Sequence, residues 1–445
     1  MTGSRRTVPD IVDQWNAAYF DNGLSPGTLS ALAGLVTAER DAQALADRVF
    51  RLMRMAQFEP ADLSLFTAWL IGFSAPRTVP SAWHGAVPPV TMAGRHHRLD
   101  DYIAGNSWHR PHDEPVLVDL GCGFPPFTTL ESATRLPGWK VIGVDPSFSR
   151  YLVYDEGGDY ACADDDGRVS YYRTGTVDPD PAGTRTRFRC LLDRLLPLLP
   201  GEDTGELYEL QRDGSRLVRN PLRGYEGEGP NLALRQGEIG SFSVETGVDV
   251  VRCMNVFMYF DRAFRKRALH WAASLLRPGG LVLCGSNWAR SGSSRYTVYQ
   301  KDGGTLVARE FAFSIENVRP LELAPWYALH DDDLENLCNA MAVATVRADV
   351  QFRSRFDDRL DALLTQRGFC PRGQDGYLGG PEKKMSVDEC TAQCAELAAG
   401  LEREGFVEDA VTVLRHAGHN AWRNIAGHVA MRPIEPRQLP ASKVL

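Results

Sequence analysis

Between residues 116 and 145 the chain runs from one apolar segment through a glycine turn to a second apolar segment ending in an acid. Val116-Leu-Val-Asp-Leu-Gly-Cys-Gly-Phe-Pro-Pro126 is followed by Val141-Ile-Gly-Val-Asp145. A buried strand, a tight turn, a helix and a second buried strand make a βαβ unit, which commits this part of the chain to a parallel sheet. Gly121 and Gly123 let the backbone approach a ligand closely. Asp145, 22 residues after Gly123, stands where a carboxylate accepts hydrogen bonds from two ribose hydroxyls. What the turn lacks narrows the ligand. A pyrophosphate-binding turn reads G-x-G-x-x-G, and here the third glycine position is Pro126; no Lys follows, so a P-loop is excluded as well. A turn without a phosphate cradle, with Asp119 shortly before its first glycine, suits a cationic nucleoside.

A second segment extends the pattern. Val248-Asp-Val-Val-Arg-Cys-Met-Asn-Val-Phe-Met-Tyr-Phe-Asp261 is an apolar strand breaking into a polar turn. Asp261 is placed to cap a helix whose Phe264, Ala268, Leu269, Ala272, Leu275 and Leu276 fall at helical spacing. Arg277-Pro-Gly-Gly280 is expected to end that helix, and Leu281–Gly285 to form the next strand.

Together these residues resemble the class I S-adenosylmethionine-dependent methyltransferases. Asp119-Leu-Gly-Cys-Gly123 is similar to the first motif of that family, and Val144-Asp145 to its acidic second-strand motif. The resemblance implies an α/β fold: a Rossmann-like seven-stranded methyltransferase sheet with helical N- and C-terminal additions and an inserted β-hairpin element. It also implies S-adenosyl-L-methionine as cofactor, held by Asp119, Gly121, Cys122, Gly123, Asp145 and Pro146. Asn231–Gly240 resembles the third-strand segment, where Glu238 and Ile239 match the positions that contact adenine. Asn255, at the end of the fourth strand, is expected to hold the amino-acid part of the cofactor, and Tyr259 to position the acceptor. His109 and His112, from the segment before the first strand, are candidate bases. The wording Cys253–Asp261 is similar to chemotaxis-receptor carboxyl methyltransferases. It departs from them in Phe124-Pro125-Pro126, where that subfamily carries acids, and in Met254, where it carries Arg.

The expected organisation is a helical N-terminal cap over 1–110, a cofactor-binding domain over 111–328 with an insertion at about 151–230, and a helical region over 329–445. Apolar spacing predicts N-terminal helices at Ile11–Phe20, Ser25–Leu35, Glu39–Met55 and Asp62–Phe73. Within the insertion, Tyr151–Tyr154 and Val169–Tyr172 alternate like strands, Leu207–Arg219 is a hairpin about Asp213-Gly214, and Phe188–Leu199 is helical. The insertion follows the second strand, near the carboxyl ends where ligands bind in open α/β sheets, and so is a candidate lid. A second hairpin is expected about Asp302-Gly303-Gly304, and helices at Asp331–Val346, Phe356–Arg367, Val387–Arg403 and Phe406–His416.

A net charge of −8 argues against a nucleic-acid surface, which needs concentrated Lys and Arg. The cluster Arg262, Arg265, Lys266 and Arg267 reads as a solvated helix face. No apolar run reaches 18 residues and no secretory h-region follows Arg5-Arg6, so a cytoplasmic chain without a membrane partner is expected. Nine cysteines are scattered; Cys390 and Cys394 are one helical turn apart rather than at zinc-ligand spacing, and no metal is expected. The function these features imply is methyl transfer to a small-molecule acceptor. A protein-carboxyl acceptor, or transfer of a non-methyl group from the same cofactor, stays open, as does the oligomeric state. A nicotinamide oxidoreductase is disfavoured by Pro126, and a non-catalytic binding module by the intact Gly121, Gly123 and Asp145.

Overall fold

The structure is a computed structural model that describes residues 94–108, 112–123, 126–145, 148–157, 159–164, 166–173, 180–201, 208–219, 230–237, 239–240, 242–245, 247–257, 262–287, 294–319, 334–368 and 387–433. The predicted helices before residue 74, and Pro146, Glu238, Tyr259 and His109, lie outside them. The described chain divides into two units: one runs up to Cys284 with Gln300–Val307, the other takes Gly285–Tyr299 and the residues from Ala308 onward.

The first unit opens with helix α1 (His97–Gly105) and then builds the predicted βαβ element: β1 (Val116–Leu120), α2 (Phe127–Arg135) and β2 (Lys140–Asp145). All five residues of β1 and the last five of β2 are buried, as a sheet covered on both faces requires. β8 (Leu232–Gln236) pairs parallel with β2, and β9 (Val248–Met254) pairs parallel with β1 on its other side. The strand order is β9-β1-β2-β8. The chain therefore moves outward from β1 through β2 to β8, then returns across β1 to β9. That reversal makes the crevice at the carboxyl ends of β1 and β9 a topological switch point, where open α/β sheets bind ligands. The fold class is the expected one, mixed α/β with a large parallel-rich sheet.

After β9 comes α4 (Arg262–Leu275) and then β10 (Leu276–Asn287). The expected helix stop at Arg277-Pro-Gly-Gly280 is instead the start of β10, the backbone being extended from Leu276 onward. The helix ends at Leu275, before Arg277, and Gly280 lies within the strand, where a side chain would meet the Asp249 carbonyl oxygen at 3.0 Å. In α4, Lys266 and Arg267 are exposed but Arg265 is buried, so the basic cluster is not a uniformly solvated face.

The connection from β2 to β8 carries a second, antiparallel sheet of order β5-β4-β3-β7-β6, made of β3 (Tyr151–Tyr154), β4 (Tyr160–Ala163), β5 (Val169–Arg173), β6 (Tyr208–Arg212) and β7 (Ser215–Arg219). The β6–β7 hairpin turns at Asp213 (φ 50°) and Gly214 (φ 73°), the left-handed pair of a two-residue type I′ turn. Helix α3 (Pro181–Leu195) starts seven residues before its expected position. Asp180 caps it by accepting from the Gly183 N–H, and Pro181 occupies the first turn. Phe188, Leu191, Leu192 and Leu195 of α3 pack on Val153, Ala161, Ala163 and Leu217, giving the insertion its own apolar core. β4 was not foreseen, because Tyr160-Ala-Cys-Ala163 has no polar alternation to reveal it.

The second unit holds the carboxyl end of β10 and parts of β11 (Ser294–Asp302) and β12 (Thr305–Phe313), with α5 (Leu334–Ala348), α6 (Val350–Gln366), α7 (Val387–Arg403), α8 (Phe406–His416), β13 (Ala421–Arg423) and β14 (Val429–Met431). β14 pairs antiparallel with β12 and β13. The four helices and these strands bury one core in which Phe352, Phe356 and Phe406 stack and cross edge-to-face. Arg347, almost fully buried, is held by Asp357 through two hydrogen bonds of 2.8 and 2.9 Å.

Candidate functional site

The site is built at the carboxyl ends of β1, β2, β8 and β9. Register places Leu120 opposite Val144, so Gly121 emerges beside Asp145, and the Gly121 N–H donates to the Val144 carbonyl oxygen at 2.8 Å. Gly121 (φ 68°) and Gly123 (φ 73°) are both left-handed. Gly121 has a second reason to lack a side chain: a Cβ there would lie 2.4 Å from Val256 Cγ2, in the turn after β9. Gly121→Ala is therefore expected to lower the melting temperature by several degrees. Adding Val256→Ala should recover only the part due to the clash, because the backbone strain of about 1–2 kcal/mol remains.

Asp145 is 6% exposed, and its Oδ2 accepts the Gly123 N–H at 2.8 Å. This bond ties the acid to the glycine turn and uses one of roughly four acceptor positions on the carboxylate. Cys122 sits between the glycines with its sulfur turned into the protein: a Cβ on Gly143 would approach it to 3.2 Å. Burial, then Asp145 and Asp119, push the Cys122 thiol well above its usual range, so it stays protonated and only its backbone faces outward chemistry.

Across the crevice, Asn255 follows β9 with φ 60°. A non-glycine residue in this region is uncommon, and asparagine tolerates it best. On the far side of Asp145, Gln236 ends β8 opposite it, and Gly237 donates to the Asp145 carbonyl oxygen at 3.4 Å. Half-buried Ile239 follows two residues later. The structure thus brings together Gly121, Cys122, Gly123, Asp145 and Asn255, with Ile239 beyond β8.

Asp119 lies one layer below. Its Oδ1 accepts from Arg252 Nε at 2.9 Å, and its Oδ2 from Arg252 Nη2 at 2.7 Å and Thr129 Oγ1 at 2.8 Å. Arg252 is 0% exposed and also donates to Asp100 Oδ1 of α1 at 2.7 Å and to Ser132 Oγ of α2 at 2.9 Å. Burial alone would favour a neutral guanidine; Asp119 and Asp100 outweigh it and hold Arg252 charged. The negative charge expected to face a cation is therefore balanced inside the protein, and Asp145 is the carboxylate left at the turn. Sequence reasoning did not single out Arg252, although a guanidinium within Val-Asp-Val-Val-Arg-Cys-Met was the available signal.

His112 is placed elsewhere. Its Nδ1 lies 2.7 Å from Asp249 Oδ1, while Asp249 Oδ2 accepts from the Val116 N–H at 2.9 Å and Arg277 Nη1 at 3.0 Å. Val116 begins β1 and Asp249 is the second residue of β9, so the pair sits at the amino ends of the strands. Five residues of β1 separate it from the glycine turn, roughly 16 Å. As a base for chemistry at the turn, His112 is excluded. Among the described residues no group of three His, Cys, Asp or Glu could hold a metal, and no helix is long and apolar enough to cross a membrane.

No family model and no curated protein matches this chain. Solved structures do. The protein PKMT2 from Rickettsia typhi, in complex with AdoHcy, is 12% identical over 45% of this chain and 25% of its own, with a TM-score of 0.21. CalS10, an amino pentose methyltransferase from Micromonospora echinaspora bound to SAM, is 16% identical over 50% of this chain and 74% of its own, at 0.19. An O-methyltransferase family 2 protein from Planctomyces limnophilus, in complex with apigenin, is 12% identical over 97% of each chain, at 0.26. The chain thus spans about a quarter of the PKMT2 structure. At these TM-scores the likenesses do not bear on the chemistry.

Proposed function

We propose that this chain is an S-adenosylmethionine-dependent methyltransferase acting on a small-molecule acceptor. The carrying observation is the convergence of left-handed Gly121 and Gly123, the buried Asp145 carboxylate and left-handed Asn255 at a switch point whose turn has no phosphate cradle. A nucleoside fits the acceptor present, because Asp145 keeps acceptor capacity beyond its bond from Gly123. In this reading Asp145 accepts from the ribose hydroxyls, the Gly121–Gly123 backbone lies along the ligand, and Ile239 packs on the base. Asn255 offers its side-chain amide toward the amino-acid part, with Pro146, Glu238, Tyr259 and His109 in the roles that the family resemblance implies.

When bound, S-adenosylmethionine supplies a methyl group activated by a sulfonium. The residues of the chain then have to align an acceptor lone pair with that methyl and keep water out, so positioning is their main contribution to rate.

The insertion supports a small acceptor. It starts at Tyr151, directly after Phe148 and Ser149, both buried, and Ser149 Oγ accepts from Gln236 Nε2 at 2.9 Å, which anchors the insertion at the end of β8. Leu152, Tyr160, Cys162 and Val218 make a second apolar cluster, on the face of the insertion sheet away from α3. The Cys162 thiol is pushed up by burial and then by the Asp145 charge. An apolar sheet face of this kind, anchored beside the end of β8, suits a compact ligand better than a protein segment.

Calorimetric titration tests the reading. Micromolar binding of both S-adenosylmethionine and S-adenosylhomocysteine is expected. Heat with a nicotinamide dinucleotide, and none with these two, would overturn it.

A further inference from the structure

The antiparallel sheet of the insertion has two edges, and they differ. β5 is blunted. Its register against β4 shifts between Cys162 and Ala163, and Arg185 of α3 donates to the Val169 carbonyl oxygen at 2.8 Å and stands over the Tyr172 ring. At the other edge β6, Tyr208-Glu-Leu-Gln-Arg212, pairs with β7 alone among the described residues.

The two-residue turn at Asp213-Gly214 fixes which backbone groups β6 leaves open. It makes Arg212 and Ser215 a hydrogen-bonded pair, and Leu210–Leu217 and Tyr208–Arg219 follow at every second position. The backbone N–H and C=O of Glu209 and Gln211 therefore point outward, and both residues are exposed. An open row of this kind is a template for another strand.

Charged side chains on an edge ordinarily repel a second copy. In one register those of β6 do the opposite. Antiparallel pairing with β6 of a second copy, centred on Leu210, sets Glu209 of each chain opposite Gln211 of the other. These are the residues with outward backbone groups, so both pairs close their hydrogen bonds. The Gln211 carboxamide can then donate across to a Glu209 carboxylate, as its Nε2 already does to Glu209 Oε1 within the strand at 2.9 Å. Tyr208 comes opposite Arg212, a ring opposite a guanidinium, and Leu210 meets its own copy. A slide of two residues in one direction would oppose Glu209 to Glu209, and in the other Glu209 to Asp213. Like charges opposite each other disfavour both.

We propose that β6 pairs antiparallel with β6 of a second copy of this chain about Leu210, so that the two five-stranded insertion sheets become continuous. The contact is short, at the low end of interface sizes, and a weak dimer with a Kd of roughly 10–100 μM is expected.

Sedimentation velocity of the whole chain, over roughly a hundredfold range of concentration about that value, tests the proposal. Gln211→Pro removes an outward N–H without taking a bond from β7, so it should abolish the dimer and leave the melting temperature nearly unchanged. Gln211→Glu places like charges opposite each other twice and should weaken association about 3- to 10-fold. Its melting temperature should not fall, because within the chain the new carboxylate faces Arg216 of β7. Mixing Gln211→Glu with Glu209→Lys should restore association, since the new lysine then meets the new glutamate of the other copy. A wild type that stays monomeric throughout would overturn the proposal and leave this edge to a different partner. A dimer that neither Gln211→Pro nor Gln211→Glu weakens would overturn it as well, by placing the contact on another surface. Neither readout involves a ligand, so the outcome is independent of the proposed cofactor.

Discussion

Asp145→Ala is expected to remove measurable binding of S-adenosylhomocysteine. The carboxylate would make two charge-assisted hydrogen bonds to ribose, each worth about 1.5–3 kcal/mol, so affinity should fall by at least about 100-fold. The ligand-free protein should also lose about 1–3 kcal/mol, because the buried Gly123 N–H at 2.8 Å from Oδ2 is left without its acceptor. Asp145→Asn separates the two effects. It keeps an oxygen for Gly123 and much of the stability, but one ribose bond becomes unfavourable and the negative charge is gone. A drop of about tenfold is expected, read by calorimetry beside a thermal melt. Full affinity in Asp145→Ala would remove the nucleoside site from this turn.

Arg252→Met should be among the most destabilising single substitutions in the first unit. It leaves Asp119 and Asp100 buried, both 1% exposed, without their guanidinium. Breaking a buried ion pair by removing one partner costs about 3–5 kcal/mol. For a unit of this size that corresponds to a fall in melting temperature of about 10 °C. Adding Asp100→Asn and Asp119→Asn should restore part of the loss, since the stranded charges disappear with the arginine. The three sites share bonds, so their effects will not add. Thermal melts of the single and triple variants check this, and a wild-type melt for Arg252→Met would show that the network carries little stability.

The βαβ unit was legible because its apolar runs are continuous and its turn glycines are demanded by backbone conformation. The crossing back to β9 also announced itself, through Val248–Met254 and the polar turn after it. Asp119 was harder. A carboxylate two residues before a glycine looks outward when only the turn is considered, and its partner Arg252 is 133 residues away in sequence. Spacing carries no information about such a pair. The insertion was half legible: alternation exposed β3, β5 and the β6–β7 hairpin, while uniformly apolar β4 gave no period to read.

The two ends of the insertion sheet have a consequence for how the chain assembles. Tyr151 at its start and Arg219 at its end are register partners on adjacent strands, so the folded insertion enters and leaves at nearly one place. Asp145 and Gln236, which must meet to pair β2 with β8, are about 90 residues apart in sequence. Once the insertion has formed on its own core, the tether joining them shrinks to about 20 residues, and the entropy of closing it falls by roughly 1 kcal/mol. An excursion of this kind can be rebuilt or exchanged with little penalty to the sheet that carries it.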